Sequence, residues 1–317
     1  MVISVDHGNK QIKTMNHIFT SGYIEGDTLP SLGNDTLKYE GKTYMLDNRR
    51  FPQSNDKTID EHYFILTLFA IAKELQTKFD TAPTAVVDVA LLAGLPPLHY
   101  KALHKKFEEY FIKREPRIVF EYNGQAYWIA ISDVCIYPQA YAASLTARDE
   151  IKDSIMANIV DIGGYTVDCL LMERGRPNMS VCTSLHGGVN ILFDQINAHI
   201  RSKIFKNLPD QIIESIISNE KTVLDEYPSE LVEIVRYQTQ KFVDELLGNV
   251  SGTGIDLDIN KTIFVGGGSI LLKDFIQKSQ KVNRPIFVTD IKANVKGFSL
   301  IYHMTQATQR AQRGDVD

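Results

Sequence analysis

The chain is predicted to fold as two related α/β lobes, and three observations carry that expectation. Its 317 residues exceed what one hydrophobic core usually supports. Short apolar strands are followed by Gly-containing turns and then helices along most of its length, the pattern of α/β units. One opening occurs twice: an apolar strand, an Asp-x-Gly turn and a second apolar strand begin at Val2 and begin again at Ile155.

A hydrophobic fraction of 44% and a charged fraction of 23% are those of an ordinary globular protein and exclude a disordered or fibrous one. The formal charge of −5 argues against a broad basic surface that grips nucleic acid directly, so any link to DNA is expected to run through another protein. Cys135, Cys169 and Cys182 are too scattered for a disulfide framework or a zinc site and read as buried thiols in apolar runs. Met1-Val2-Ile3-Ser4-Val5-Asp6 lacks a basic region ahead of a long apolar segment, and no later run approaches the length that spans a bilayer. A cytoplasmic location with no membrane contact is the expectation.

Val2 to Val5 reads as a buried strand ended by Asp6-His7-Gly8-Asn9, with Gln11 to Thr20 returning as a second strand. Residues 21–58 are rich in Gly, Asp, Asn and Pro and read as a small β insertion, with strands at Thr36 to Tyr39 and Lys42 to Leu46 about Glu40-Gly41. Thr58 with Glu61 resembles a capping box, ahead of a helix marked by Tyr63, Leu66, Ala70 and Ile71 that reaches about Phe79. Thr84 to Leu92 is a strand closed by Gly94-Leu95-Pro96-Pro97. Leu98 to Ile112 is an amphipathic helix, and the charged run Lys101 to Arg114 is most simply its solvated face. Arg117 to Tyr122 and Gln125 to Ile131 form a hairpin about Asn123-Gly124, in which Trp128 packs beside Tyr127, and a helix starts at Pro138 and runs through Leu145.

The apolar pattern lapses into charge at Thr146 to Asp153, so the first domain is read as 1–150 and the second as 151–297, with a terminal helix of about 298–317 packing back on the first. The second half opens with a strand at Ile155 to Val160, the turn Asp161-Ile162-Gly163-Gly164, and strands at Thr166 to Met172 and Met179 to Leu185. Helices at Val189 to Phe205, Pro209 to Ser218 and Ser229 to Leu247 make a helical insertion of about 189–260. A strand at Thr262 to Val265 is broken by Gly266-Gly267-Gly268. Ser269 to Ser279 reads as a helix, Pro285 to Val288 as a strand, Ala293 to about Arg310 as a final helix, and the last few residues as frayed.

A polyphosphate carries several negative charges that N–H groups, cations or metal must meet, and glycine lets the backbone come close. In the first turn Asp6 ends a strand, Gly8-Asn9-Lys10-Gln11 form the bend, and Lys13 lies two residues past Gln11 on the same face. In the second, Asp161 ends a strand, Gly163-Gly164-Tyr165-Thr166 form the bend and Asp168 follows. An Asp at each strand end supplies two carboxylates, which suits a hydrated Mg²⁺. A lone Asp-x-Gly reads more readily as an Asx-capped turn without ligand; the order and spacing of several such features favour binding.

Asp6-His7-Gly8-Asn9-Lys10-Gln11-Ile12-Lys13 resembles the first phosphate loop of the actin, Hsp70 and sugar-kinase superfamily, and Asp161-Ile162-Gly163-Gly164-Tyr165-Thr166-Val167-Asp168 resembles its second. Gly266-Gly267-Gly268 is similar to the adenosine motif, Pro138-Gln139-Ala140 to the first connecting segment, and Ala293-Asn294-Val295-Lys296-Gly297-Phe298 to the second, all in family order. Within the superfamily the chain looks most like the bacterial plasmid-segregation actins of the ParM/StbA type. The resemblance implies an α/β actin-like ATPase fold, two ribonuclease H-like domains flanking a nucleotide cleft.

It further implies roles. Gly8, Asn9, Lys10 and Gln11 face the β-phosphate with Lys13 as a point charge; Asp6 and Asp161 hold Mg²⁺ through water. Gln139 orients the attacking water. Gly163, Gly164, Tyr165 and Thr166 belong to the turn around the γ-phosphate, and Gly266, Gly267, Gly268 and Ser269 lie against adenosine. The ligand is ATP, with GTP left open. The partners are further copies of the chain in a filament and an adaptor of the ParR type that links it to plasmid DNA.

Other features stay open. His7 and Lys10 occupy variable loop positions and read as phosphate contacts or as loop decoration, and Tyr165 is bulky for its turn. His186-Gly187-Gly188 precedes a helix, so Gly187 and Gly188 read as nucleotide contacts or as a plain helix-start turn. Asp194 reads as a solvated carboxylate. Besides a polymerising ATPase, a small-molecule kinase and a nucleotide-binding scaffold on the same fold are the alternative functions.

Overall fold

In the computed structural model the described residues are 1–26, 35–47, 56–81, 83–113, 116–204 and 206–313. Parts of the expected β insertion (27–34 and 48–55), Arg114, Phe205 and the end of the chain expected to fray (314–317) lie outside them. The chain divides into two units, Met1–Ala142 with Asn294–Asp317, and Ala143–Ala293.

Unit 1 opens with β1 (Val2–His7), antiparallel to β2 (Gln11–Lys13), which pairs with β3 (Ile18–Thr20). The single strand expected over Gln11 to Thr20 is therefore a hairpin. The Glu74 carboxylate bends it, accepting from Thr14 Oγ1 at 2.5 Å, the Asn16 N–H at 2.8 Å and Asn16 Nδ2 at 2.7 Å. β4 (Tyr23–Glu25), β5 (Thr36–Tyr39) and β6 (Lys42–Leu46) follow, the last two at their expected bounds. α1 (His62–Lys78) has no side-chain cap. Thr58 gives its N–H and hydroxyl to Asp56 Oδ1 instead, at 3.0 and 2.6 Å, so the capping box with Glu61 does not form.

β7 (Val87–Leu95), α2 (Pro97–Ile112), β8 (Ile118–Tyr122) and β9 (Gln125–Pro138) complete the unit's sheet. Asn123 and Gly124 turn the β8–β9 hairpin with φ of 49° and 81°, the left-handed pair a two-residue turn requires. β9 runs past Ile131 because parallel pairing with β7 continues as far as Leu95↔Pro138, and the Gln139 N–H still donates to Leu95 O at 2.8 Å. That ladder keeps Pro138 extended, so the helix expected to begin there starts only at α3 (Tyr141–Ser144).

Unit 2 begins within α3 and continues with a 3₁₀ turn (Leu145–Ala147) and α4 (Arg148–Ile151). β10 (Met156–Ile162), β11 (Thr166–Glu173) and β12 (Arg176–His186) form a meander. Its second turn, Arg174-Gly175 at φ 48° and 75°, carries no strong turn signal in the sequence. α5 (Val189–Ile204), α6 (Asp210–Ile217), α7 (Lys221–Glu226) and α8 (Ser229–Gly252) follow, with α7 unexpected and α8 longer than the pattern suggests. β13 (Lys261–Val265) leads to α9 (Gly267–Leu271), α10 (Lys273–Lys278) and β14 (Pro285–Phe287). The one helix expected over Ser269 to Ser279 is thus two, and its first turn already contains Gly267 and Gly268. α11 (Ala293–Arg313) returns to unit 1.

The strand orders are β3-β2-β1-β7-β9-β8-β5-β6-β4 in unit 1 and β12-β11-β10-β13-β14 in unit 2. The five strands β3-β2-β1-β7-β9 repeat the unit 2 order with the same directions: an antiparallel meander, then two parallel crossovers. The repeat read in the sequence is therefore a repeat of topology, and unit 1 extends it with β8, β5, β6 and β4. In unit 1 helix α1 is apolar almost all round, with Phe64 to Ile71 buried without interruption, and it packs on β1, β2 and β8. In unit 2, α5, α6 and α10 pack on α8 and share one hydrophobic core with the sheet, while α9 lies on β10 and β13 and α10 on β14. Cys169 is buried and its thiol is pushed up to about 12 by burial, whereas Cys135 and Cys182 are only half-buried. No helix of the described residues is long and apolar enough to cross a membrane.

His7 overturns both readings of its position: it is no loop residue but a core residue of β1, at 0% exposure. Neighbouring side chains of a strand alternate in direction, so Asp6 occupies one face and His7 enters the layer of Tyr63, Phe107 and Phe111, with ring centroids 5.7, 5.7 and 5.8 Å away. Thr67 Oγ1 donates to Tyr63 O at 2.7 Å, so at its 2.7 Å contact with His7 it accepts from Nε2–H. Nδ1 is left bare among the described residues. Burial, then the charges of Lys57 and His62, hold the His7 pKa well below 6.5. Burial likewise lowers His62 to about 4.

Both rings are neutral when folded and become protonated on unfolding below pH 6.5. Acid therefore favours the unfolded chain. Stability is expected to be flat in this respect above about pH 7 and to fall by on the order of 1 kcal/mol per pH unit per histidine between about pH 6.5 and 5. Urea midpoints across this range test it, and His7→Phe should reduce the slope while leaving the share that His62 contributes.

Candidate functional site

In unit 1 the sequence-derived residues gather where β1, β7 and β9 end. Asp6 is 4% exposed and lies opposite Lys13 in the β1–β2 register. Its carboxylate accepts from Gln139 Nε2 at 2.7 Å through one oxygen and from Lys13 Nζ at 3.5 Å through the other. An ionised carboxylate only accepts, so the amide must present its NH₂ to Asp6, and Gln139 Oε1 remains as an acceptor. Gly8 donates its N–H to Asp6 O at 3.0 Å. A Cβ there would stand 2.7 Å from Gln11 O and 3.4 Å from Lys13 Nζ, so the missing side chain leaves the lysine's ammonium open beside the bend. Asn9 accepts from the Tyr63 hydroxyl at 3.5 Å, and its own N–H has no acceptor among the described residues. Lys10 is exposed, while Gln11 is half-buried in register with Thr20.

Residues that the motif reading passed over or gave no role support this group. A Cβ on Gly94 would meet the Phe298 ring at 2.3 Å and Gln139 Cγ at 2.9 Å, so the glycine makes room for both. Gly297 packs equally closely, a Cβ there falling 2.0 Å from Ala142 O. Phe298 is fully buried with Leu92 and Ala142. The signal for Gly94 was visible as a glycine in an apolar strand, which often marks close approach.

In unit 2 the turn after β10 rests on the start of α5. The Gly187 and Gly188 N–H groups both donate to Tyr165 O at 3.1 Å, Val189 N–H to Gly163 O at 3.1 Å, and Asn190 N–H to Gly164 O at 2.9 Å. A trans peptide directs its N–H opposite to its C=O. With three successive carbonyls drawn to the helix, the next N–H groups point away from it, and those of Gly164 and Tyr165 have no acceptor among the described residues. Two adjacent free N–H groups form a concavity suited to an anion. Gly187 and Gly188 thus give their amides to the turn, and Asn190, absent from the sequence reading, joins them. Gly188 has no alternative: a Cβ would lie 2.3–2.5 Å from the Gly163 and Gly164 backbone.

Asp161 is in parallel register with Val265, which brings the third turn against it. Gly266 has φ 88° and a Cβ there would be 2.1 Å from Asp161 Oδ1, so conformation and space both demand glycine. Gly268 packs on Ile162 and Val189. Gly267 is exposed with nothing near its Cβ position, which leaves its backbone open. Ser269 is fully buried behind the turn, its Oγ without a partner among the described residues. Thr166 Oγ1 lies 3.5 Å from Asp168 Oδ2, and Tyr165 and Asp161 are half-buried. His186 and Asp194 are exposed, the latter as expected.

These contacts set two glycines apart. Gly188→Ala is expected to lower stability by about 1–3 kcal/mol through overpacking, and Gly267→Ala to leave it within about 0.5 kcal/mol. Urea unfolding followed by circular dichroism reads both; a Gly188→Ala protein as stable as its parent would show that the turn does not rest on α5.

Two family models match the chain. One describes actin-like proteins, N-terminal domain, over residues 4–141, and the other the archaeal actin homologue MreB-like, C-terminal, over residues 159–278. No curated protein matches. Among solved structures the chain is similar to Ta0583, an archaeal actin homolog, in complex with ADP, at 17% identity and TM-score 0.71 over 96% of this chain and 99% of that one. It is similar to the apo psk41 ParM protein at 16% and 0.71 over 97% and 98%. It is also similar to a ParM of a 15-stranded filament from Clostridium botulinum at 15% and 0.70 over 96% and 99%. With an actin-type fold over nearly its whole length and actin-family models over both halves, the chain belongs to the actin-like proteins.

Proposed function

We propose that this chain binds ATP with Mg²⁺, hydrolyses it, and assembles into filaments that partition plasmid DNA through a ParR-type adaptor. The observation that carries the hydrolytic part is the 2.7 Å bond from Gln139 Nε2 to Asp6 Oδ1, which joins a strand-end carboxylate to an amide far along the chain. That bond fixes the amide's orientation and leaves Oε1 as an acceptor for a water's hydrogen, the task of a residue that orients a nucleophile. The free N–H groups of Gly164 and Tyr165 suit the γ-phosphate, Lys13 beside Gly8 suits the β-phosphate, and the open backbone at Gly267 suits a flat base.

Among the described residues no cluster of three or more His, Cys, Asp or Glu could hold a metal directly. Asp6 and Asp161 instead supply hard oxygen donors at two strand ends, which fits an ion retained through its waters. Mg²⁺ supplies neutralisation of the phosphate charge. The chain's own part is positioning: donors already aimed, a water held by Gln139 Oε1, and no covalent intermediate. Assembly and the nucleotide find support in the filament named for one similar structure and the ADP named for another. The net charge of −5 supports contact with DNA through an adaptor.

Sedimentation with and without ATP and Mg²⁺ tests assembly, with nucleotide-dependent pelleting expected and its absence at all concentrations rejecting a filament. For hydrolysis, Gln139→Ala should slow phosphate release about a hundredfold while nucleotide affinity changes little. Replacing Asp6 and Asp161 together by Ala should abolish both, and unaltered ATP uptake in calorimetry would reject the site. Transfer of phosphate to a small molecule in place of water would favour a kinase.

A further inference from the structure

Gln139 reaches Asp6 from a backbone held in an uncommon shape. The next residue, Ala140, is fully buried and has φ 58°, a region that a non-glycine residue enters only against steric strain. The Tyr141 N–H donates to Gln139 O at 2.5 Å, closing a γ-turn about Ala140 with the positive central φ that makes this turn rare. Strain of this kind persists only where surrounding contacts over-determine it.

Three contacts do so. The Gln139 N–H is held by Leu95 O at 2.8 Å, at the end of the β7–β9 ladder. The missing Cβ of Gly94 gives Gln139 Cγ its passage. The Ala140 N–H goes to no backbone acceptor but to Asn294 Oδ1 of α11 at 3.1 Å. One turn further along α11, Gly297 lies against Ala142 O and fixes where the helix, and so Asn294, can sit. Remove the Asn294 carbonyl and a buried N–H is left without an acceptor, which favours rotation of the peptide between Gln139 and Ala140.

We infer that Asn294 is a positioning residue for Gln139: its side-chain carbonyl captures the Ala140 N–H, holds the γ-turn, and thereby aims the Gln139 amide at Asp6. The inference rests on the reading of Gln139 as the group that orients water. It also predicts a rescue, because glycine adopts positive φ without strain. Ala140→Gly relieves the conformation that Asn294 maintains.

The test uses the full chain and the variants Asn294→Ala, Asn294→Ala with Ala140→Gly, Ala140→Gly alone, and Gln139→Ala. Phosphate release, ATP affinity by calorimetry, and the ¹⁵N-labelled side-chain amide of Gln139, identified by its absence in Gln139→Ala, are measured on each. Asn294→Ala is expected to slow turnover about tenfold or more with affinity within about threefold. The double variant is expected to regain most of the rate, and the Gln139 amide resonance to move in Asn294→Ala and return in the double variant. Turnover in Asn294→Ala within about twofold of the parent, or a double variant no faster than Asn294→Ala, overturns the inference.

If Gln139→Ala itself turns over at the parent rate, the water-orienting reading fails. The amide resonance then decides the positioning alone: unmoved in Asn294→Ala, it overturns the inference. If Asn294→Ala does not fold, Ala140→Gly in the parent should raise the unfolding midpoint by relieving strain, and a lowered midpoint overturns the inference.

Discussion

Parallel pairing of strands is the constraint on which the residue group of each unit depends. Successive strands of a crossover run the same way, so their carboxyl ends lie along one edge, where α/β sheets bind their ligands. In unit 1 the pairings Val5↔Ala93, Gly94↔Tyr137 and Leu95↔Pro138 bring Asp6, Gly94 and Gln139 to that edge. In unit 2 Asp161↔Val265 sets Asp161 against Gly266. A shift of one residue would reverse every side chain of the shifted strand and take the aspartate off the edge. The buried runs Ile3 to Val5 and Ile263 to Val265 hold the register, so core packing fixes site geometry.

At that edge the fold conserves its amides. In most turns N–H groups are used by nearby carbonyls, as with Gly8 to Asp6. In the turn after β10 the arrangement is inverted: the helix start supplies the donors, the turn supplies the carbonyls, and the turn's own amides face outward. The N-terminal amides of a helix usually need side-chain caps or solvent, and here they act as the clamp. Gly188 lies where even a methyl group would enter that clamp. Strain is placed with similar economy, at Ala140, the residue that sets the direction of Gln139.

Much of this was legible beforehand. Strands β5 and β6 have the bounds their alternation and turn suggested, Asn123-Gly124 makes the hairpin it signals, and the doubled opening proves to be a doubled topology. The aspartates and glycines stood out by type and order, whereas Gln139 was singled out through the resemblance to the actin superfamily. What misled were signals that are local when the decision was not. Pro138 favours a helix start, but the ladder with β7 overrides it. Thr58 and Glu61 spell a capping box, but Asp56 is nearer to Thr58. His7 looked like part of a polar loop because it follows Asp6, yet the strand extends through it into an aromatic layer.

The sequence by itself determined the class of fold, the doubled unit and the glycines of the turns at the strand ends, because these follow from short-range periodicity and the steric freedom of glycine. It did not determine which amides remain open, which way the Gln139 amide faces, or that Gly94, Asn190 and Asn294 support the groups on display. Those depend on contacts between residues far apart in the chain, Gln139 with Asp6 and Asn294 with Ala140 among them. Only the folded chain brings such groups within hydrogen-bonding distance, and only there does planarity of each peptide tie the use of its carbonyl to the exposure of its N–H.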